Sequence, residues 1–289
     1  MNRSFLFVPG DSERKFEKAL STNADAVIID LEDSVAAARK PDARRYLAGF
    51  LTSDAAPQLW VRINPMDSDD CDEDLAALSP LPDGIVLPKC RGGTDIRELD
   101  GRLTSLESDT GRDIGSTRVL PLITERPSAL FAVEDYAQVT DRLDALTWGA
   151  EDLAAALGAN RNRGADGRWL PPYELARSLC LIGAAAADLP AVETVFTDIR
   201  DTAGAGRCAT EARRDGFSGM LAIHPDQIDP INAAFTPTDT EISAATEIVA
   251  RFDASPSAGV LQIEGRMIDR PHYLQARRLL GLAERAGKR

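Results

Sequence analysis

The feature of this 289-residue sequence that most constrains its fold is a series of short apolar runs alternating with helix-like segments. Several runs are almost wholly apolar, which is typical of parallel strands buried on both faces. Parallel strands need helical crossovers, and Phe16, Ala19 and Leu20 have the spacing of an apolar helix face. Eight βα units in about 250 residues predict an α/β fold, the (β/α)8 TIM barrel, with an open doubly wound sheet as the competing architecture. The eight predicted strands are residues 5–8, 26–31, 59–63, 84–87, 119–123, 143–148, 192–196 and 220–223.

The chain beyond the last predicted barrel helix needs a separate explanation. Residues 255–259 read as a linker, and Pro271 can begin a further helix. One stripe of that helix is apolar and must pack on its own barrel or on a neighbouring subunit. We therefore predict a barrel at 1–254 and a C-terminal extension at 255–289.

Composition excludes several classes of function. The formal net charge of −13 would repel a phosphate backbone over most of the surface, so a nucleic acid partner is not expected. No apolar stretch approaches the roughly 18 residues that span a bilayer, and no secretory signal pattern is present. We expect a cytoplasmic protein without a membrane partner.

With four scattered cysteines and two histidines, His224 and His272, any metal must rest mainly on oxygen ligands.

Catalytic side chains of a barrel lie at the C-terminal ends of its strands. Arg62 and Asp30 are of particular interest because apolar strand residues flank them, and a buried charge is costly unless it is paired. The other polar residues could simply mark the return of polar sequence after a strand. Together the candidates are Asp11, Ser12, Asp30, Glu32, Asp33, Arg62, Asn64, Lys89, Glu125, Glu151, Asp152, Asp198 and His224.

Carboxylates at several strand ends, with almost no histidine, fit a hard cation such as Mg²⁺. Glu125 and Asp152 are the natural pair of ligands because they follow the adjacent strands five and six. Either carboxylate could instead form a salt bridge with Arg62 or Lys89 without any metal.

Two further patterns have competing interpretations. Arg14 and Lys18 are i, i+4 neighbours on the first helix and could bind a phosphate-bearing substrate, although a solvated helix face would look the same. A loose dinucleotide-binding pattern from Gly204 to Ala209 begins too far after its strand, and we interpret it as a helix start. No GxSxG or Walker A motif occurs, which disfavours hydrolases and nucleotide triphosphatases.

Seven short motifs follow one another at the spacing of barrel strands. In this order the sequence resembles the citrate lyase β-subunit and malyl-CoA/citramalyl-CoA lyase family of the aldolase/citrate lyase superfamily. The resemblance implies a Mg²⁺-dependent barrel enzyme that makes or breaks the bond between an acyl-thioester α-carbon and a keto-acid carbonyl. The motifs are RSFLFVPG at 3–10, IDLED at 29–33, VRIN at 61–64, LPK at 87–89, WGAEDL at 148–153, IHPxQ at 223–227 and GxMID at 265–269.

The resemblance also implies roles for individual residues. Glu125 and Asp152 are expected to bind the metal, and Arg62 to hold the keto-acid carboxylate. Asp269 matches a catalytic Asp on a C-terminal lid that closes over the mouth of a neighbouring subunit, which implies a homotrimer or a hexamer. The remaining expected substrate-binding residues are Phe7, Arg14 and Lys18, which would contact the CoA moiety, together with Lys89 and His224.

The leading hypothesis is cleavage of a malyl-, citramalyl- or citryl-type thioester, on CoA or on an acyl carrier, to an acetyl thioester and a keto acid. One alternative is a class II pyruvate-type aldolase, which would use a histidine at the mouth and have no CoA site. The other is a non-catalytic subunit that binds an acyl carrier. Arg126 and Glu193 depart from the residue types expected by resemblance and leave the acyl group and keto acid open.

Overall fold

The computed structural model describes residues 2–52, 57–255, 259–263, 265–285 and 287. Within these residues, one parallel sheet contains eight strands in the order β5-β4-β3-β2-β1-β8-β7-β6. Every apolar run predicted as a strand is therefore confirmed, with small changes of boundary. The strands are β1 Ser4–Pro9, β2 Ala26–Asp30, β3 Gln58–Arg62, β4 Gly84–Leu87, β5 Arg118–Pro121, β6 Leu146–Thr147, β7 Ala191–Glu193 and β8 Gly219–Ala222.

The two strands at the ends of this order, β5 and β6, join through isolated bridges. Val119 pairs with Leu143, and Leu122 pairs with Thr147. The amide of Ile123 also donates to the carbonyl of Thr147 at 2.9 Å. The sheet thus closes on itself, which confirms the (β/α)8 barrel over the open sheet.

Helices connect the successive strands, with one exception. Between β5 and β6 the connection consists of two short 3-10 helices, Pro127–Phe131 and Val133–Tyr136. None of the helices among the described residues combines the length and the apolar character that crossing a bilayer requires. The crossover helices are α1 Glu13–Leu20, α2 Lys40–Leu51, α3 Asp70–Ala76, α4 Gly93–Thr110, α5 Ala150–Leu157, α6 Pro171–Ala186 and α7 Thr202–Asp215, and α8 Ile228–Phe235 follows β8. Because α7 starts at Thr202, the pattern from Gly204 to Ala209 is helical, as predicted.

The barrel interior is filled by alternate residues of the strands, as the two-residue period of a β-strand requires. Trp60 is its largest side chain and lies opposite Gly84 of the next strand. A Cβ atom on Gly84 would lie 2.4 Å from the Trp60 ring, so the glycine provides the space for the indole. The interior cluster comprises Phe5, Ala26, Ile28, Trp60, Val86, Leu120, Leu122, Ala145, Val192 and Leu221.

The chain divides into two compact units, residues 2–232 and residues 233–289. The second unit contains helix α9, the antiparallel strands β9 and β10, and helix α10, at Asp239–Asp253, Val260–Ile263, Arg266–Asp269 and Arg270–Arg285. Its small core is formed by Phe252, Ile263, Ile268 and Tyr273. Residues 256–258 of the predicted linker lie outside the described residues. The predicted division after residue 254 stays a prediction, because compactness does not test which segment acts as a lid.

Replacing Gly84 by alanine is expected to destabilise the barrel by about 1–3 kcal/mol, because the new methyl group overlaps the Trp60 ring in a closed interior. Gly101 is the matched control, since a Cβ there meets no atom within 4 Å and lies inside a helix. Gly101→Ala should be stabilising by up to about 1 kcal/mol. Urea denaturation of both variants checks this, and equal stability of the two would contradict the packing argument.

Candidate active site

The C-terminal ends of β2 and β3 carry a buried ion pair between Asp30 and Arg62. The two residues are register partners, and the guanidinium binds the carboxylate through Nε and Nη2, both at 2.6 Å. Burial alone would raise the pKa of Asp30, but the charge and hydrogen bonds of Arg62 outweigh it and lower that pKa. The Arg62 guanidinium also lies over the Phe7 ring, 4.7 Å from its centroid. Three neighbouring strands therefore fix one arginine in place.

Lys89 follows β4 and joins the same cluster through its ammonium group. Its Nζ contacts Glu32, lies 3.1 Å from Asp33 Oδ2, and lies 3.2 Å from Asp152 Oδ1. Burial would lower the pKa of Lys89, but these carboxylates, Glu32 first, raise it. Lys89 has a φ of 51°, a left-handed conformation that is uncommon outside glycine and costs on the order of 1–3 kcal/mol.

The backbone of that turn contributes to the site as well. The amide of Lys89 donates to Glu125 Oε2 at 2.5 Å. Glu125 is only 3% exposed, and burial followed by the nearby charges of Asp152 and Glu32 raises its pKa to about 8. A Cβ at Gly149 would lie 2.6 Å from Glu125 Cγ, so a glycine is required where the β6–α5 turn passes this side chain.

Asp152 lies in the first turn of α5 and is partly exposed. Its neighbour Glu151 accepts a hydrogen bond from Asn162 at 2.7 Å instead of contacting Lys89. Among the described residues, no three His, Cys, Asp or Glu side chains form a ready-made metal-binding group. Two carboxylates, Glu125 and Asp152, are nevertheless the donor set from which Mg²⁺ sites are built when substrate and water supply the other oxygens.

A cleft of 490 Å³ lies beside the ends of β1 and β8. Arg14 and Lys18 line the cleft, although both side chains are exposed to solvent. The two interpretations of this pair, phosphate binding and a solvated helix face, are therefore compatible. Phe7 and His224 also line the cleft, as does Lys15, which the helical spacing of the sequence did not single out. His224 Nδ1 accepts a hydrogen bond from the amide of Asp226 at 3.3 Å.

Glu193 points away from the barrel interior. It accepts hydrogen bonds from Trp148 Nε1 at 2.7 Å and from Arg177 Nε at 2.6 Å, and it is 1% exposed. Since the adjacent Val192 belongs to the interior cluster, strand alternation turns Glu193 toward the helices. Its identity therefore bears on how Trp148, the residue before Gly149, is held, because its side chain does not face the barrel interior.

The other departure, Arg126, is paired at the surface. Its guanidinium donates to both oxygens of Asp67, at 2.8 and 2.7 Å. The hydrogen bonds of Arg126 help to lower the pKa of the Asp67 carboxyl. This pair links the loop after β5 to the loop after β3.

The structure thus brings Arg62, Lys89, Glu125 and Asp152 into one cluster and places Phe7 beneath Arg62. Asp198 does not join it, since its carboxylate accepts from the amide of Arg200 in a local turn. Asp269 is the last residue of β10 and belongs to the C-terminal unit. The apolar residues that flank Asp30 predict that its charge needs a partner, and Arg62 is that partner. Glu32, two residues beyond the end of β2, had no predicted role and contacts Lys89.

Replacing Glu193 by alanine is expected to cost about 3 kcal/mol of unfolding free energy, because Arg177 and the Trp148 indole each lose a buried partner. Asp215 is the matched control, since it contacts the same arginine at 2.8 Å but is half exposed. Asp215→Asn should cost less than about 1 kcal/mol. Urea denaturation followed by tryptophan fluorescence measures both, and equal losses would show that the buried contacts are not the important ones.

Comparisons with known proteins show which family the chain resembles along its length. The sequence model of the family described as HpcH/HpaI aldolase/citrate lyase matches residues 3–225. The chain is 33% identical to citrate lyase subunit beta of Leuconostoc mesenteroides subsp. cremoris, over 98% of this chain and 93% of that protein. It is 32% identical to the mitochondrial citramalyl-CoA lyase of Mus musculus, over 97% and 86%. The crystal structure of CitE from Mycobacterium tuberculosis, in complex with magnesium, acetoacetate and coenzyme A, is 31% identical with a TM-score of 0.79, over 98% of both chains.

Proposed function

The chain belongs to the HpcH/HpaI aldolase/citrate lyase family, a family of carbon–carbon lyases, and from that premise we propose that it is a Mg²⁺-dependent lyase of β-hydroxyacyl thioesters. Its substrate is a malyl-, citramalyl- or citryl-type thioester, which it cleaves to an acetyl thioester and a keto acid. The observation that carries the proposal is a carboxylate-rich cluster in the same barrel as a cleft lined by basic side chains. The magnesium, acetoacetate and coenzyme A bound by the similar CitE support it.

The charge of the cluster favours a divalent cation. Among the described contacts, five carboxylates, those of Asp30, Glu32, Asp33, Glu125 and Asp152, are linked to Arg62 and Lys89. The arrangement therefore has more negative than positive groups. Burial first, and then the charges of Asp152 and Glu32, raise the pKa of Glu125. Glu125 and Asp152 would hold Mg²⁺. When bound there, the ion would act as a Lewis acid toward substrate oxygens.

Arg62 binds the carboxylate of the keto acid. Asp30 uses one N–H on Nε and one on Nη2, and the guanidinium has further N–H groups on the edge formed by Nη1 and Nη2. Nη1 lies 3.2 Å from Glu32 Oε2, so a substrate carboxylate on this edge would compete with Glu32 for Nη1. That second edge of the fork matches a carboxylate in bidentate geometry. Asp30 and the Phe7 ring keep the fork oriented, so that little side-chain entropy is lost when the substrate binds.

The cleft beside β1 and β8 accommodates the CoA part of the thioester. Arg14, Lys15 and Lys18 supply positive charge for phosphate groups, while Phe7 lines the end nearest Arg62. This basic lining favours a thioester lyase over an aldolase that acts on a free hydroxy-keto acid. A carrier-bound thioester would present the same phosphate chemistry, and the assay below separates it from free CoA.

Asp269 moves the proton at the acetyl carbon. In the lyase direction the hydroxyl group of the substrate gives its proton to an adjacent carboxylate, and the C–C bond breaks to leave the keto-acid carbonyl and an enolate of the thioester. The enolate must then gain a proton at its terminal carbon. In the reverse direction the carboxylate of Asp269 removes that proton. The hairpin of β9 and β10 carries Asp269 and acts as a lid over the mouth of a neighbouring subunit in a trimer or hexamer, excluding water from the enolate.

The test is turnover of free CoA thioesters by the purified protein. Acetyl-CoA or propionyl-CoA is combined with glyoxylate, pyruvate or oxaloacetate, with and without Mg²⁺, and the condensed product is measured by mass spectrometry. We expect one pairing to react only with the metal. Release of free thiol is followed in parallel to detect hydrolysis, and no turnover of any pairing would favour the non-catalytic carrier-binding subunit.

In the productive assay, Glu125→Gln and Asp152→Asn are expected to lower Mg²⁺-dependent turnover by about a hundredfold or more, because each removes one of two charged ligands. Glu151→Gln is the matched control, since Glu151 lies on the same turn and is engaged with Asn162. It should retain activity. Binding of Mn²⁺, followed by electron paramagnetic resonance, should weaken in the first two variants only. Full activity of Asp152→Asn would rule out the assigned ligand pair.

The shared lid predicts complementation between two inactive variants. Asp269→Asn should assemble and bind thioester but fail to exchange the acetyl methyl protons with solvent, while Arg62→Ala should lose use of the keto acid. Mixed oligomers contain mouths with intact Arg62 covered by lids with intact Asp269, so mixing should restore part of the activity. A fully active monomer, or no restoration despite demonstrated subunit exchange, would reject the shared site.

A further inference from the structure

The lid carboxylate has a close partner on the first turn of α10. His272 Nδ1 lies 2.5 Å from Asp269 Oδ1, three residues earlier in the chain. Both side chains are partly exposed, with 44% of the imidazole and 34% of the carboxylate accessible. The contact therefore orients groups that solvent and ligands can still reach.

The geometry assigns the tautomer of His272. Two unprotonated acceptor atoms would repel at 2.5 Å, so the contact between Nδ1 and Oδ1 requires a shared proton, which we assign to the ring nitrogen. The amide of Asp269 also lies within hydrogen-bond distance of this nitrogen, at 3.3 Å, but a protonated Nδ1 cannot accept from it, so the two bonds are alternatives and the shorter one decides. Nδ1 therefore donates to Asp269, and only one of the two carboxylate oxygens is engaged by this bond.

The backbone on both sides of the pair is anchored. Ile268 precedes Asp269, Tyr273 follows His272, and both belong to the small core of the C-terminal unit. Tyr273 packs against Phe252 at 5.4 Å between ring centroids, and its hydroxyl donates to Asp253 Oδ1 at 3.1 Å. The two side chains thus project from a fixed backbone, and the hydrogen bond restricts the rotation of the Asp269 carboxylate that the backbone leaves free.

We propose that His272 is a positioning residue that holds Asp269 Oδ1, so that Oδ2 is presented to the acyl α-carbon. The proposal deepens the function above and rests on it. In the transfer, the α C–H bond breaks, its electron pair stays on the thioester enolate, and the proton goes to Oδ2 of Asp269. A carboxylate restricted to one rotamer reaches the reactive geometry more often than a freely rotating one.

The experiment measures exchange of acetyl-CoA methyl protons in D₂O by NMR, with Mg²⁺ and without keto acid. His272→Ala should exchange more slowly by on the order of 10–100-fold, as for other groups that orient a reacting side chain, with an unchanged KM for the thioester. His272→Asn retains an N–H donor near the position of Nδ1 and should recover most of the rate. Gln275→Ala, an exposed change on the same helix, should behave as wild type.

A second readout is independent of turnover. The chain has two histidines, so labelling with ¹⁵N-histidine gives two ring systems that single substitutions assign. We expect a hydrogen-bonded Nδ1–H signal for His272 that disappears in Asp269→Ala, which removes the acceptor oxygen. Its presence in that variant would show that the proton is not shared with Asp269 and would overturn the assignment.

The outcomes also separate this inference from the function on which it rests. Loss of exchange in Asp269→Asn with wild-type exchange in His272→Ala overturns the positioning role alone. Normal exchange in Asp269→Asn overturns both. Equal impairment of His272→Ala and His272→Asn would show that the imidazole acts by some means other than its hydrogen bond, and it too would overturn the proposal.

Discussion

The Asp30–Arg62 ion pair is the interaction on which the barrel mouth depends. Removing either charge from water is costly, and the pair is stable because two short hydrogen bonds satisfy both groups where the strands place them side by side. Glu32 contacts both Arg62 and Lys89. The pKa of Glu125 is raised by its burial first and then by the charges of Asp152 and Glu32. The two cations of the mouth therefore do not neutralise all of its carboxylates.

Strand periodicity explains why these particular residues meet. Ile28 and Asp30 are two residues apart on β2, as are Trp60 and Arg62 on β3, so the residue above each core side chain faces the same interior. The lower layer is apolar and closes the barrel, and the upper layer is charged. One alternation therefore specifies both the core and the site.

Much of this was readable from the sequence. Apolar runs such as 26–31 and 84–87 predict the strands that the structure shows. The polar residues that follow these runs include Arg62, Lys89, Glu125 and Asp152, and they were expected to lie together because the strand ends meet at one face of a barrel. Three features were not readable. The side chain of Glu193 faces the helices because of its place in the alternation of the short strand β7. Gly149 is needed because the side chain of Glu125, 24 residues earlier, lies against it. Lys89 contacts Glu32 from a backbone turn in the left-handed conformation. Each is set by tertiary contacts that local patterns do not encode.

The closure of the sheet has a mechanical consequence. Strands β5 and β6 meet through isolated bridges, and β6 itself is only two residues long, so this junction is the least reinforced in the barrel. Glu125 lies just beyond β5, and Asp152 lies just beyond β6. A ligand that binds both carboxylates would connect the two sides of the junction. Part of its binding free energy would then stabilise the closed barrel against unfolding. Binding of such a ligand and the stability of the barrel would then be thermodynamically linked at this junction.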